Sequence, residues 1–388
     1  MNNFSSRMDG VQSPIIPIVG QLIRENKGTI SLGQGVVYYA PPPAAIEGIN
    51  HFLSNSHNHQ YKSVQGINSL INCIVNKLAE DNQIIVSDDH AILVTAGGNM
   101  AFINALLAIT NAGDEIILNT PYYFNHEMAI TMANCQPILV NTDDNYQLNL
   151  KAIEAAITAK IRAVVTISPN NPTGVVYSES SLREVNQLCQ EKGIYHISDE
   201  AYEYFTYNGV KHFSPASIIG SENHTISLYS LSKAYGFASW RIGYMVMPKH
   251  LLDGVKKIQD TILICPPVIS QYAALGALNV GKAYCHQYLS EINEVREIFI
   301  QSLNKLKDIC TIIPADGAFY FFVKVQTKMN DFELVKQLIE KYQIAVLPGG
   351  TFGMKEGCYL RIAYGSLQKE IATEGIKRLV KGLRNLVS

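Results

Sequence analysis

The chain has 388 residues, of which 47% are hydrophobic and 16% charged, and its formal net charge is -2. This composition excludes a disordered chain and fits a globular protein with length for two or three domains. So small a net charge offers no basic field to nucleic acid or anionic lipid, which leaves small molecules as the substrate class.

The first ten residues, MNNFSSRMDG, are polar and lack an apolar signal core. No uninterrupted apolar run is long enough to span a bilayer. Seven cysteines are scattered with no CxxC pair, and an odd count cannot close a full disulfide framework. These features fit a reducing, cytoplasmic compartment.

In chain order, the short strand AILVT precedes a helix over 98–110, and the turn NAGD leads to the strand EIILN at 115–119. A helix over 149–159 precedes the buried strand RAVVTIS at 162–168. Another over 179–192 leads to YHISD, and HTISLYS at 224–230 is the next strand. Strands alternating with helices predict a largely parallel sheet covered on both faces. The last hundred residues read as a smaller α/β unit. They hold a long helix near 284–307, the strand DGAFYFFVKV, a helix over 331–341, the strand QIAVLP, and a final strand and helix after Gly357. Residues 1–45 are too few for a core of their own and are expected to pack with this unit. The expected division is therefore 1–45, a large domain over 46–283 and a small domain over 284–388.

In such sheets ligands bind beyond the carboxyl ends of the strands. Three segments there carry polar residues: SPNNPTG (168–174), ISDEAY (197–202) and SLYSLSKAYG (227–236). Taken singly, each has an ordinary structural reading. Asn-Pro and Pro-Thr-Gly mark turns, an Asp at a strand end caps a helix, and a Lys among serines is solvated. Gly97, Gly98 and Asn99 open a helix, so their N–H groups can face an anion. GALNVGK (276–282) nearly spells a phosphate-binding loop, but Ala283 follows it and the segment reads as a helix. His57 and His59 have no Cys or carboxylate companions, so no metal site is expected. Gly33-Gln-Gly35 lacks the third glycine of a dinucleotide fingerprint.

In combination these segments are specific. N-P-x-G at Asn171, D-x-x-Y at Asp199 and Tyr202, S-x-S-K ending at Lys233, and Arg241 eight residues later follow one another in order. The pattern, and SLSKAYGFASWRIGY above all, resembles the class I/II aminotransferase signature of pyridoxal-phosphate enzymes of fold type I. The resemblance runs from SLGQG at 31–35 to YLRIAYG at 359–365, nearly the whole chain. It implies an α/β fold with a large domain, built on a mostly parallel seven-stranded sheet between helices, and a smaller α/β domain.

The same resemblance implies pyridoxal 5'-phosphate as cofactor and assigns residues to it. Lys233 would hold it as a Schiff base and, once displaced by substrate, move a proton between the substrate α-carbon and the cofactor C4′. That chemistry requires a neutral amine, which burial and nearby cations favour. Asp199 would face the pyridine nitrogen and keep the ring an electron sink. Tyr202 and Asn171 would hydrogen-bond the ring oxygen. Gly97, Gly98, Asn99, Ser230, Ser232 and Arg241 would hold the phosphate, and Tyr61 would reach the phosphate of the partner in a homodimer. Tyr123 would stack on the ring, with Tyr122 one position away as the competing choice. Arg361 would bind the substrate carboxylate with help from Asn171 and the Gly35 backbone.

The implied reaction moves an amino group from an L-amino acid to a 2-oxo acid by a ping-pong route through the pyridoxamine phosphate form. PYYFNHEMAI, DEAYEYF and the segment around ILICPPVISQYAAL resemble a branch acting on methionine or aromatic amino acids, and SLGQG is similar to kynurenine aminotransferases. Tyr38, Tyr39, Tyr123 and Phe124 are candidates for an aromatic or apolar side-chain pocket. No arginine near 260–275 offers itself to a side-chain carboxylate. Aspartate aminotransferases and carbon–sulfur lyases share the scaffold and stand as alternatives.

Overall fold

The computed structural model describes residues 6–387, so the first five residues of the polar amino terminus lie outside the described residues. Thirteen strands form among the described residues. They are β1 (Ile30–Ser31), β2 (His90–Thr95), β3 (Glu115–Thr120), β4 (Gln136–Asn141), β5 (Ile161–Ile167), β6 (Tyr195–Asp199), β7 (Thr225–Ser230), β8 (Gly243–Pro248), β9 (Cys310–Ile312), β10 (Tyr320–Val325), β11 (Ile344–Ala345), β12 (Leu347–Pro348) and β13 (Cys358–Ala363).

Seven strands make the central sheet, in the order β2-β8-β7-β6-β5-β3-β4. Only β8 runs against its neighbours. Side chains alternate across each strand. Ile116 and Leu118 therefore pack with Phe102 and Ile130 on one face. Ile117 packs with Val185 and Leu188 on the other. Coverage on both faces explains why IRAVVTI reads as an apolar run rather than an alternation.

The carboxyl-terminal part contains an antiparallel sheet, β12-β13-β10-β9. The expected single strand QIAVLP is two strands. β11 pairs in parallel with β1, and β12 pairs antiparallel with β13. The reason is the amino-terminal segment: Leu32 N–H donates to the Ala345 carbonyl, and Ala363 N–H donates to the Leu32 carbonyl. This wedge separates the two halves of the segment. The helix expected near 284–307 is Ala283–Leu303 followed by a short 3-10 turn, Asn304–Leu306.

No helix among the described residues is long and apolar enough to cross a membrane. GALNVGK begins in the last turns of the helix Val268–Val280, where backbone N–H groups bond back along the helix. His57 and His59 stand on a 3-10 turn, and no cluster of three or more His, Cys, Asp and Glu suited to a metal forms among the described residues.

Candidate active site

The carboxyl ends of β5, β6 and β7, with the turn after β2, surround a cavity of about 440 Å³. Its walls include Gly98, Asn99, Tyr123, Asn171, Asp199, Tyr202, Ser230, Ser232, Lys233 and Arg241, together with Ile167, Ala201 and Ala238.

Lys233 sits in the one-turn helix Leu231–Ala234 that follows β7, with Ser230 as its cap. Its Nζ donates a hydrogen bond to the Gly35 carbonyl. Burial, helped by the positive charges of Arg361 and Arg241, pulls its pKa down to about 8, and Asp199 only partly opposes this. Asp199 ends β6. Its Oδ2 lies 3.1 Å from His126 Nε2, and its Oδ1 accepts from Ala201 N–H at 3.1 Å. His126 is buried, stacks on Phe102 at 4.0 Å, and meets Tyr123 edge-on.

The phosphate-like corner is a cradle built around Gly97. Its φ of 84° and ψ of 173° are open only to glycine. A Cβ there would stand 2.4 Å from Arg241 Nη2. Arg241 itself takes a left-handed φ of 50°, and its Nη1 donates to Ser232 Oγ and the Ala238 carbonyl. Behind Gly97 the helix Gly98–Ile109 presents its free N–H groups to the cavity. Gly97→Ala therefore combines backbone strain with loss of the cradle. Pyridoxal phosphate affinity, measured by equilibrium dialysis, should fall about 5- to 150-fold, the equivalent of the ~1–3 kcal/mol that such strain costs.

Arg361 lies on β13, 2% exposed. Its Nη1 donates to Asn171 Oδ1 at 2.9 Å and its Nη2 to the Gly33 carbonyl at 2.6 Å. Its buried Nε has no partner, so one edge of the fork is free for an anion. The neighbouring Asn170 makes the turn, accepting from Thr173 N–H and Oγ1. That arrangement leaves the Asn171 side chain for Arg361.

Tyr123 lines the cavity, whereas Tyr122 is turned toward Gly353 and its N–H donates to the Phe352 carbonyl. The other three rings do not line this cavity. Tyr39 stacks on Tyr288 at 4.1 Å and donates to the Lys233 carbonyl, and Tyr38 contacts Glu291. Phe124 packs on Phe352. Phe352 and Tyr320, which sequence reading missed, flank Arg361 instead. His126 was also missed, because a lone histidine inside a helix carries no motif. Tyr61 does not line the cavity of its own chain and is 78% exposed.

The donor set fits pyridoxal phosphate: a glycine cradle, helix N–H groups and Arg241 for a phosphate, a carboxylate for a ring nitrogen, and a lysine of lowered pKa for an aldehyde. The fold and cofactor class are those of fold type I pyridoxal-phosphate enzymes. A model of the family "Aminotransferase class I and II" matches residues 27–379, and the chain belongs to that family. It is 32% identical to aromatic aminotransferase ISS1 of Arabidopsis thaliana, over 99% of this chain and 97% of the relative. It is 30% identical to an aspartate aminotransferase of Pyrococcus abyssi, over 98% of each. The solved aspartate aminotransferase from Rhizobium meliloti superposes with a TM-score of 0.91 at 26% identity, covering 100% of both chains. The chain is an aminotransferase dependent on pyridoxal phosphate.

Proposed function

We propose that this aminotransferase takes the amino group from an L-amino acid with an aromatic, methionine or other apolar side chain and passes it to a 2-oxo acid in two ping-pong half-reactions. The observation that carries this reading is the meeting of Lys233 and Asp199 in one cavity whose wall residue Asn171 holds Arg361, with the lysine pKa pulled down to about 8. Bound pyridoxal phosphate supplies an aldehyde for the amino donor and a conjugated ring that accepts the electron pair left at the α-carbon.

The residues of the chain then divide the work. Arg361, with Asn171 and the backbone near Gly35, receives the substrate carboxylate and aims the α-hydrogen at Lys233. The neutral Lys233 amine would take the proton from the α-carbon and deliver it to the cofactor C4′. Asp199, backed by His126, would keep a proton on the ring nitrogen. Tyr202 and Asn171 would hydrogen-bond the ring oxygen. Gly97, Gly98, Asn99, Ser230, Ser232 and Arg241 would hold the phosphate, and Tyr123 would stack on the ring.

For an apolar side chain, the support is the pair of rings against Arg361 and the aromatic aminotransferases among the relatives. The aspartate aminotransferases among them favour the second reading, an acidic donor. We assign the large domain to 46–283, and 284–388 with 1–45 to the small one. The pairing of β1 with β11 supports this, as does the close packing of Gly48 and Gly276 between the helices Pro43–Leu53 and Val268–Val280. The working form is a homodimer in the cytoplasm, with Tyr61 reaching the partner's phosphate; its exposure and the seven free cysteines support this.

The test is a panel of single amino acids added to the cofactor-loaded protein while its visible absorbance is followed. Phenylalanine, tyrosine or methionine should discharge it fastest, without release of ammonia. Fastest discharge by aspartate would establish the acidic donor, and ammonia with a 2-oxo acid released in the absence of an acceptor would establish a lyase.

A further inference from the structure

Tyr320 stands at the start of β10, outside the signature, yet it touches two of the residues assigned above. Its ring lies under the Arg361 guanidinium, 4.6 Å from ring centroid to Cζ. Its hydroxyl is 2.6 Å from the hydroxyl of Tyr202, and both phenols are buried. The two rings meet edge-on at 5.5 Å. Gly35 makes room for this hydroxyl, because a Cβ there would fall 2.2 Å from it. The same glycine carbonyl accepts from Lys233.

A count of protons sets the direction of the contact. Each phenol has one O–H and two lone pairs. If Tyr202 spends its proton on the cofactor ring oxygen, it can only accept across the 2.6 Å contact, so Tyr320 is the donor. A hydroxyl that accepts one hydrogen bond is polarised into a stronger donor of the next.

We propose that Tyr320 is a positioning residue for transamination: its O–H donates to Tyr202 while its ring backs Arg361. One side chain thereby sets both the donor at the cofactor ring oxygen and the seat of the substrate carboxylate. This rests on the roles given above to Tyr202 and Arg361. Burial lifts the Tyr320 phenol to about 12 against the pull of Arg361, so its proton is in place at neutral pH.

The experiment follows the pH at which the visible absorbance of the cofactor-loaded protein changes, in Tyr320→Phe, Tyr202→Phe and the double variant. Phenylalanine keeps the ring against Arg361 and removes only the hydroxyl. Weaker donation to the ring oxygen disfavours loss of the neighbouring proton, so the transition should move to higher pH. We expect about half a unit to one unit in Tyr320→Phe and more in Tyr202→Phe. The double variant should match Tyr202→Phe alone, since the relay has one outlet. KM for the amino acid should stay near wild type in Tyr320→Phe and rise about 10-fold in Tyr320→Leu, which loses the cation–π contact as well. A wild-type transition in Tyr320→Phe, or a shift that adds to that of Tyr202→Phe, would overturn the proposal and leave the Tyr202 assignment standing. An unmoved transition in Tyr202→Phe would overturn both.

Discussion

Lys233→Ala should lower turnover by at least about 10⁴-fold, because on the proposed mechanism it removes both the group that attaches the cofactor and the base that moves the α-proton. The fold should survive. The side chain faces a cavity, and its one hydrogen bond there goes to the Gly35 carbonyl. Thermal unfolding should therefore stay within a few degrees of wild type. Lys233→Arg should be as inactive as the alanine variant, since a guanidinium keeps its proton throughout the working range. Activity in the arginine variant would mean that positive charge, rather than a neutral amine, is what the site uses. The pH dependence follows from the same residue. A pKa lowered to about 8 leaves roughly one amine in ten neutral at pH 7, against about one in several thousand for an unshifted lysine. Capture of pyridoxal phosphate by the cofactor-free protein should quicken as pH rises from 6 and level off above about 8. A rate still climbing at pH 10 would show that burial and the two arginines do not tune this lysine.

Asp199→Asn should have the next largest effect. The amide keeps the size of the carboxylate but not its charge, so on the proposed mechanism the ring nitrogen would lose the partner that holds its proton. A fall in turnover of about 10²- to 10³-fold is expected, the scale for losing one preorganised electrostatic contact. Affinity for the cofactor should fall with it, and Asp199→Glu should recover part of both. Turnover within threefold of wild type would remove Asp199 from the mechanism. The structure makes this a sharp test, because the carboxylate is already fixed by His126 at 3.1 Å and by Ala201 N–H. The amide therefore has no alternative pose in which to hide the loss.

The local order of elements was legible in the sequence, because it follows from side-chain periodicity. The strands around EIILN, RAVVTIS, YHISD and HTISLYS, and the helix over 179–192, lie where the patterns of apolar residues put them. The signature residues were legible too, since Asn171, Asp199 and Lys233 follow three successive strand ends at the family spacing, with Arg241 eight residues after the lysine. Partnerships between segments distant in the chain were not. QIAVLP reads as one strand, and only the arrival of Leu32 between its halves divides it. Tyr38 and Tyr39 read as pocket residues, but the helix Ala283–Leu303 supplies Tyr288 and Glu291 and draws both away. His126 beside Asp199, and Tyr320 between Tyr202 and Arg361, belong to no local pattern. They are set by which helix and which strand pack over the sheet ends. Sequence thus determined the elements and the family, and named the groups proposed to react, through propensity and chemical resemblance. Tertiary packing decided which buried neighbours orient those groups, because that depends on contacts between residues distant in the chain, 118 positions apart in the Tyr202–Tyr320 hydrogen bond.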